Sequence, residues 1–268
     1  MRRDTVVLVV LGALLAATVG VHVHHVLTGA QSFWIAVTLL MTTFCVVSSL
    51  HLMGGKATAV FVACGVSLGF GFEALSIATG FPFGPYHYTP VFGPGVLGVP
   101  FIIPLAWYVI VYLGYVIANL MIAHAPVVVG PTRQALFLSL MGAGVVTAYD
   151  LALDPFMVKK IGAWVMHNPG AYFDEQLRGF FGWTLVAFLI AITVRTAHAR
   201  MGVVPRSTRS TLAAAYPLLA YGLWWVFFSL AGYPYGTRVI AVYAMGLPTL
   251  AACSGLLSWR ARQQVASR

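Results

Sequence analysis

The stretch FGFEALSIATGFPFGPYHYTPVFGPGVLGVPFIIPLAW, from Phe70 to Trp107, decides the fold. It places a carboxylate, Glu73, near the end of an apolar segment of helical length. A loop rich in Pro, Gly and Tyr follows without a charged residue, and apolar sequence resumes at Phe101. This pattern is typical of two membrane-spanning helices joined by an ordered loop. A carboxylate in such a segment is costly, so it needs a function or a partner.

The composition of the whole chain indicates a membrane protein. Hydrophobic residues make up 60% and charged residues 8% of 268 positions, against about 25% charged residues in soluble domains. The net charge of +9 favours anchoring on the cytoplasmic side over nucleic-acid binding. Cys45, Cys64 and Cys253 each lie alone in an apolar run, so they indicate neither disulfides nor a metal-binding pair.

Hydropathy predicts eight transmembrane helices, because a span needs about 20 mostly apolar residues. We expect these helices at 5–27, 32–53, 57–79, 101–123, 133–153, 179–199, 210–232 and 237–259. The first follows Arg2 and Arg3 but is longer than a signal-peptide core, so we expect it to be retained. The sequence predicts one integral-membrane domain over residues 1–268, an all-α, multi-pass bundle in the cell membrane.

The distribution of Lys and Arg predicts the orientation of this bundle. With the N-terminus inside, the inner side carries eleven of them: Arg2, Arg3, Lys56, Arg133, Arg195, Arg200, Arg206, Arg209, Arg260, Arg262 and Arg268. The outer side carries four: Lys159, Lys160, Arg178 and Arg238. The positive-inside rule therefore predicts that both termini are cytoplasmic.

Five of the six acidic residues fall in the outer half of this topology. Glu73 and Asp150 each lie about 24 to 26 Å from the inner surface, given a helical rise of 1.5 Å per residue. Asp154 follows Asp150 by four residues, on the same helical face and one turn higher. The other two are Asp174 and Glu175, in an outer loop. The sequence predicts a carboxylate site shared by the third and fifth helices.

Each of these side chains also has a structural interpretation. Glu73 and Asp150 could accept hydrogen bonds that tie helices together, and Asp154 could turn the chain, since Asp-Pro often ends a helix. Aromatic side chains gather at the same level, where a membrane-interface belt would also place them. They are Tyr86, Tyr88, Trp107, Tyr108, Trp164, Tyr172, Trp183, Trp224 and Trp225.

Carboxylates among aromatic rings suit the addition of water to an isolated carbon–carbon double bond in a lipophilic substrate. Apolar surroundings favour the neutral form of a carboxylic acid, which can then donate a proton. Aromatic faces stabilise the cation that protonation of a double bond creates. A second carboxylate could orient or deprotonate the attacking water.

The histidines suggest a competing hypothesis. The motif HVHH, with His22, His24 and His25, resembles one histidine box of a membrane di-iron oxygenase. Such sites need several boxes, and the remaining histidines are isolated, so we predict no metal site. Those histidines are His51, His87, His124, His167 and His198. No phosphate-binding loop or nucleophile elbow supports nucleotide-dependent or acyl-transfer chemistry.

Two blocks of the sequence resemble a known family. The first is GFGFEALSIATGFPFGPYHYT followed by GVPFIIPLAW, and the second is AYDLALDPFMVKKIGAWVMHNPGAYF followed by GFFGWTL. They are similar to the integral-membrane carotenoid biosynthesis proteins that include CruF-type carotenoid 1,2-hydratases and bisanhydrobacterioruberin hydratases. The resemblance covers about Gly69 to Leu185, and long paired blocks are more specific than a short motif.

This resemblance implies addition of water across the terminal 1,2 double bond of an acyclic carotenoid ψ-end, giving a tertiary alcohol without a cofactor. The implied partners are the carotenoid, water, the bilayer and other enzymes of the pathway. At the matching positions we expect Glu73, Asp150 and Asp154 to be catalytic, with the acid and base roles of Glu73 and Asp150 open. The expected substrate contacts are Phe83, Tyr86, Tyr88, Trp107, Trp164, Tyr172 and Trp183.

The chain departs from the family pattern between Asp174 and Arg178, where FDEQLRGFFGW replaces an expected Gly/Pro and Asn-containing segment. This departure bears on the specificity for the carotenoid end group. Two further functions stay open. One is a non-catalytic carotenoid or lipid carrier, and the other is an ion-coupled transporter using the buried acids, although the paired half-helices typical of transporters are not evident.

Overall fold

The structure, a computed structural model, describes residues 2–30, 33–203 and 210–266. Arg206, Arg209 and Arg268 of the charge count lie outside these ranges. The helices are α1 (Arg2–Thr28), α2 (Phe33–Met53), α3 (Gly55–Thr79), α4 (Ile102–Ala123), α5 (Thr132–Phe156), α6 (Leu177–Arg200), α7 (Thr211–Ala231), α8 (Gly236–Ala244) and α9 (Gly246–Ala266). Four short strands are β1 (Tyr86–Tyr88), β2 (Gly95–Val96), β3 (Val99–Pro100) and β4 (Trp164–Met166).

Eight helical segments of the described chain are long and apolar enough to cross a membrane, so the predicted all-α, multi-pass bundle is confirmed. The eighth segment, predicted at 237–259, is interrupted at Met245, between α8 and α9. Pro248 explains the interruption, since it has no N–H for the carbonyl of Ala244 and its ring crowds that carbonyl. The cytoplasmic position of both termini stays a prediction.

The helix α4 forms the centre of the bundle. It packs against α2, α3, α5 and α9. Ser48 and Ser49 of α2 form hydrogen bonds with Tyr112 and Tyr108 of α4 at 2.7 and 3.1 Å. These polar contacts fix the rotation of α4, which directs its N-terminal residues towards the site described below.

The helix α5 continues through Pro155, where the sequence indicated that it would end. A proline leaves the carbonyl four residues earlier without its helical donor, here that of Leu151. The hydroxyl of Tyr172 donates a hydrogen bond to this carbonyl at 2.8 Å. Because that group is satisfied, the helix runs on to Phe156 and into a π-helical turn, Met157–Ile161.

The two long loops, 80–101 and 157–176, meet at one end of the bundle, which we call the loop end. The strand β1 pairs with β4 in antiparallel register, with Tyr86 opposite Met166 and Tyr88 opposite Trp164. Arg178 of α6 also donates a hydrogen bond to the carbonyl of Gly80 at 2.7 Å. The two sequence blocks that define the resemblance are therefore in direct contact.

Candidate active site

Glu73 lies beneath the loop end, with only 4% of its surface exposed. Three side chains from two other elements donate hydrogen bonds to its carboxylate. Trp107 of α4 donates to Oε1 at 2.8 Å, and Tyr88 donates to Oε2 at 2.9 Å. Tyr86 also donates to Oε2. Three donors on one carboxylate complement a negative charge.

The local structure of β1 explains why both tyrosines reach the same oxygen. Alternate residues of a strand point to one face, so Tyr86 and Tyr88 point together while His87 points away. The pairing with β4 holds this strand over α3. Burial and the nearby Glu73 raise the pKa of Tyr86 and Tyr88 well above the usual range, so both hydroxyls keep their protons and act as donors.

Asp150 and Asp154 lie one turn apart on α5 and are 0% and 3% exposed. Their carboxyl groups interact directly with one another, and both also interact with Glu73 across the bundle. Neither oxygen of Asp150 has a hydrogen-bond donor of standard geometry among the described residues. Two carboxyl groups in this arrangement can share one proton. Asp150 interacts electrostatically with Glu73, and Asp154 shares a cavity with Glu73, so α3 and α5 bring their acids to one region of the bundle.

A fourth carboxylate, Glu175, joins this cluster and was not predicted as a site residue. It belongs to the loop before α6, is 1% exposed and interacts with Asp154 and Asp150. Burial, together with the charge of Asp154, raises its pKa to about 9. The departure from the family pattern at Asp174–Arg178 was the signal in the sequence that could have pointed to Glu175. Hydropathy, however, does not show whether an acidic side chain points into the bundle or towards solvent.

An apolar cavity of about 80 Å³ adjoins Glu73. Its walls are mainly aromatic and aliphatic residues of α2, α4, α5 and the loop end. A second cavity, of about 30 Å³, lies between Glu73 and Asp154. The two cavities share Glu73, Tyr88, Trp164 and Trp183. Together they form a mostly apolar chamber with carboxylates on opposite walls.

Most of the predicted contact residues line this chamber. They are Phe83, Tyr86, Tyr88, Trp107, Trp164 and Trp183. Tyr172 lines neither cavity, because its hydroxyl bonds to Leu151 and its ring packs against Phe173 and Phe180. Asp150 also lines neither cavity, whereas Asp154 lines the smaller one.

The wall residues that were missed as contacts include Trp34, Tyr149 and Trp224. Tyr149 and Trp224 pack against each other with ring centroids 4.9 Å apart. Trp224 was visible in the sequence as part of an aromatic belt, and Tyr149 directly precedes Asp150. Which face of its helix each of them occupies depends on tertiary packing. The sequence alone therefore did not distinguish residues of the chamber wall from residues of an aromatic belt at the membrane interface.

Two of the HVHH histidines, His22 and His25, lie in an aromatic cluster, whereas His24 is exposed. His22 and His25 use Nδ1 to bond the carbonyls of Thr18 and Ala30, both at 2.8 Å. His25 also stacks on Phe33 with ring centroids 3.8 Å apart. In the part of the chain that the structure describes, no three His, Cys, Asp or Glu side chains converge as metal ligands.

The bundle and its chamber define a polytopic membrane protein with an apolar internal site bordered by carboxylates. The chain belongs to the carotenoid biosynthesis protein family, whose sequence model matches residues 29–248. This match confirms the resemblance and extends it well beyond the two blocks.

Among curated proteins, bisanhydrobacterioruberin hydratase from Haloarcula japonica is 29% identical over 117 residues. That stretch is 43% of this chain and 37% of the relative, so the match spans well under half of the relative's length. No solved structure matches the chain.

Proposed function

We propose that this protein is a hydratase that adds water across the terminal 1,2 double bond of an acyclic carotenoid ψ-end, giving a tertiary alcohol. Membership of the carotenoid biosynthesis family and the name of the Haloarcula japonica relative support a carotenoid substrate and this reaction. The observation that favours it most is the chamber between Glu73 and Asp154, which has carboxylates on opposite sides and tryptophans between them.

The Asp150–Asp154 pair is the proton donor in this proposal. A pair that shares a proton can release it to a substrate, and Asp154 is the member that lines the chamber. The proton goes to C2 of the double bond, whose π electrons form the new C–H bond. The positive charge then develops at C1, which is tertiary.

The aromatic walls stabilise this charge. Trp107 and Trp183 lie with ring centroids 4.5 Å apart, and Phe83 stacks on Trp107 at 5.9 Å. The electron-rich faces of indole rings attract a cation, and the attraction is strongest where water is excluded. The aromatic residues therefore provide stabilisation without offering a nucleophile that would trap the cation.

Glu73 is the base. Water adds to C1 through its oxygen, and the proton that it loses passes to the Glu73 carboxylate. Tyr86, Tyr88 and Trp107 hold this carboxylate in position. The reaction adds the elements of water without transferring electrons, so it requires no redox cofactor.

The apolar lining of the larger cavity suits the end of a carotenoid, because aromatic and aliphatic side chains form most of its walls. A long polyene would insert its terminal isoprene units and leave the remainder along the apolar surface of the bundle. A reaction confined to the end group follows from this arrangement.

Membranes containing the protein, incubated with an acyclic carotene in water labelled with oxygen-18, test the proposal. We expect a product heavier by one labelled water, and its loss in Glu73→Gln and Asp154→Asn. Asp174→Asn, which alters an exposed carboxylate nearby, is the matched control. Absence of label from the wild-type product would overturn the proposal, and binding of carotenoid without turnover would indicate a carrier.

A further inference from the structure

Glu175 is a buried carboxylate that the hydration steps above do not use. It lies outside the transmembrane spans, yet it is buried, with only 1% of its surface exposed. Neither of its oxygens accepts a hydrogen bond of standard geometry from the described residues. A buried acid is costly to leave without such bonds, which indicates a role beyond holding the loop in place.

The turn that carries Glu175 places this residue and the neighbouring Asp174 in different environments. Phe173 and Asp174 have positive φ angles of 51° and 73°, which reverse the chain. The amide of Glu175 donates to the carbonyl of Tyr172 at 2.8 Å, and the amide of Gly170 donates to that of Asp174 at 2.9 Å. Asp174 thus lies at the surface while Glu175 is buried.

The groups around Glu175 form a path between the surface and the chamber. On the inner side it interacts with Asp154 and Asp150. On the outer side it interacts with Lys159, whose side chain is 33% exposed and forms an ion pair with Asp174. The indole of Trp164, which lines both cavities, also interacts with the Glu175 carboxyl group.

Repeated hydration requires proton return. After one addition of water, the Asp150–Asp154 pair has lost a proton and Glu73 has gained one. We propose that Glu175 relays protons from the loop-end surface to the Asp150–Asp154 pair and so restores the acid between turnovers. This inference rests on the proposed hydratase function.

The relay is balanced. The carboxyl group of Glu175 gives its proton to the pair and takes another from water at the surface, while Glu73 releases the proton it removed from the attacking water. No proton is gained or lost over a cycle. The raised pKa of Glu175, about 9, means that it holds a proton to give at neutral pH.

The test compares single and multiple turnovers in water labelled with oxygen-18. With protein in excess of carotene, we expect Glu175→Gln to form product at the wild-type rate, because the acid is already protonated. With carotene in excess, we expect a loss of about 100-fold, the lower end of the range for loss of a proton-transfer group. Glu175→Asp should recover part of this loss, because it restores a carboxyl group.

Asp174→Asn is the matched control, since Asn tolerates the positive φ at this position and the substitution removes an exposed carboxylate with its surface ion pair to Lys159. It should leave both rates unchanged. Wild-type multiple-turnover rates in Glu175→Gln would overturn the relay. Equal losses in both regimes that Glu175→Asp does not recover would assign Glu175 a structural role and overturn it as well.

Infrared spectroscopy of the purified protein separates failure of the relay from failure of the hydratase. We expect a protonated-carboxyl band that titrates near pH 9, disappears in Glu175→Gln and shifts in Asp154→Asn. A band that both variants leave unchanged would overturn the relay, whatever the protein does to carotene. Absence of labelled product from the wild type, with this band present, would overturn the hydration reaction and with it the return of protons between turnovers, and would leave Glu175 as a buried group that holds a proton.

Discussion

Trp107 of α4 donates its indole N–H to Oε1 of Glu73 on α3 across 2.8 Å. Gly69, one turn before Glu73 on the same face of α3, makes room for this indole, because a Cβ there would lie 2.6 Å from Cβ of Trp107. The spacing of a small residue and a carboxylate four positions apart therefore positions the tryptophan at the wall of the chamber.

We predict that Trp107→Phe lowers kcat more than it raises KM. The phenyl ring preserves an aromatic wall but donates no hydrogen bond to Glu73. A hydrogen bond to a charged group contributes about 1.5 to 3 kcal/mol, which corresponds to roughly 10- to 100-fold in rate. Kinetics of labelled-water incorporation measure the change.

Trp225→Phe provides the control for this substitution. The indole nitrogen of Trp225 is buried and has no acceptor among the described residues, and Trp225 does not line the chamber. The Trp225→Phe variant should therefore keep the wild-type kcat and KM. A similar loss in both variants would mean that the bond to Glu73 does not account for the effect.

The contact between α4 and α5 predicts a strong effect at Gly114. A Cβ at this position would lie 2.8 Å from the carbonyl oxygen of Gly142, a backbone atom that cannot move aside without shifting the helix. We expect Gly114→Ala to destabilise the folded protein by about 1 to 3 kcal/mol, as overpacking does. Thermal unfolding in detergent measures this.

Gly144, two residues along α5 from the contact, is the matched position. A Cβ there meets nothing within 4 Å. We expect Gly144→Ala to leave the unfolding temperature unchanged or raise it, since alanine favours helix more than glycine does. Equal destabilisation at both positions would show that close approach of α4 and α5 is not the cause.

The sequence predicts that Glu73 and Asp150 share a level along the bundle, because hydropathy locates the helices and the helical rise sets the position of each acid along its helix. The pairing of the two helices was not fixed by that argument, and it depends on how α4 packs between α3 and α5. The sequence thus predicts the position of a site along the bundle more readily than it predicts which residues from different helices form that site.

Two local features could not be predicted from neighbouring residues. Pro155 does not end α5, because Tyr172, seventeen positions later, donates to the carbonyl that the proline leaves free. Glu175 is buried because a turn with positive φ at Phe173 and Asp174 reverses the chain. The continuation of α5 and the burial of Glu175 both depend on contacts between segments, which rules about neighbouring residues do not include.

We predict that Tyr172→Phe lowers stability and leaves KM for the carotenoid unchanged. Loss of the hydroxyl leaves the carbonyl of Leu151 without its donor, which costs about 1 to 3 kcal/mol for a buried group. Tyr243→Phe, at a side chain that is 66% exposed, should have no effect on stability. A raised KM with unchanged stability would instead support the substrate contact expected for Tyr172 from the sequence.

We predict that the stability of the wild-type protein falls as pH rises from about 5 to 9, and that Glu175→Gln reduces this fall. The ordinary pKa of a glutamate, 4.5, applies to the unfolded chain, and burial beside Asp154 raises it to about 9 in the folded protein. Between these values only the folded state holds the proton, so unfolding releases it and becomes more favourable as pH rises.

Glutamine mimics the neutral carboxyl group at every pH. The variant should therefore match the wild type near pH 4.5 and exceed its unfolding temperature at pH 8 to 9. Unfolding temperatures across this range, with Asp174→Asn as control, measure the difference, because titration of all other groups is common to the proteins compared. Parallel curves for wild type and Glu175→Gln would show that Glu175 does not hold a proton in the folded protein at neutral pH.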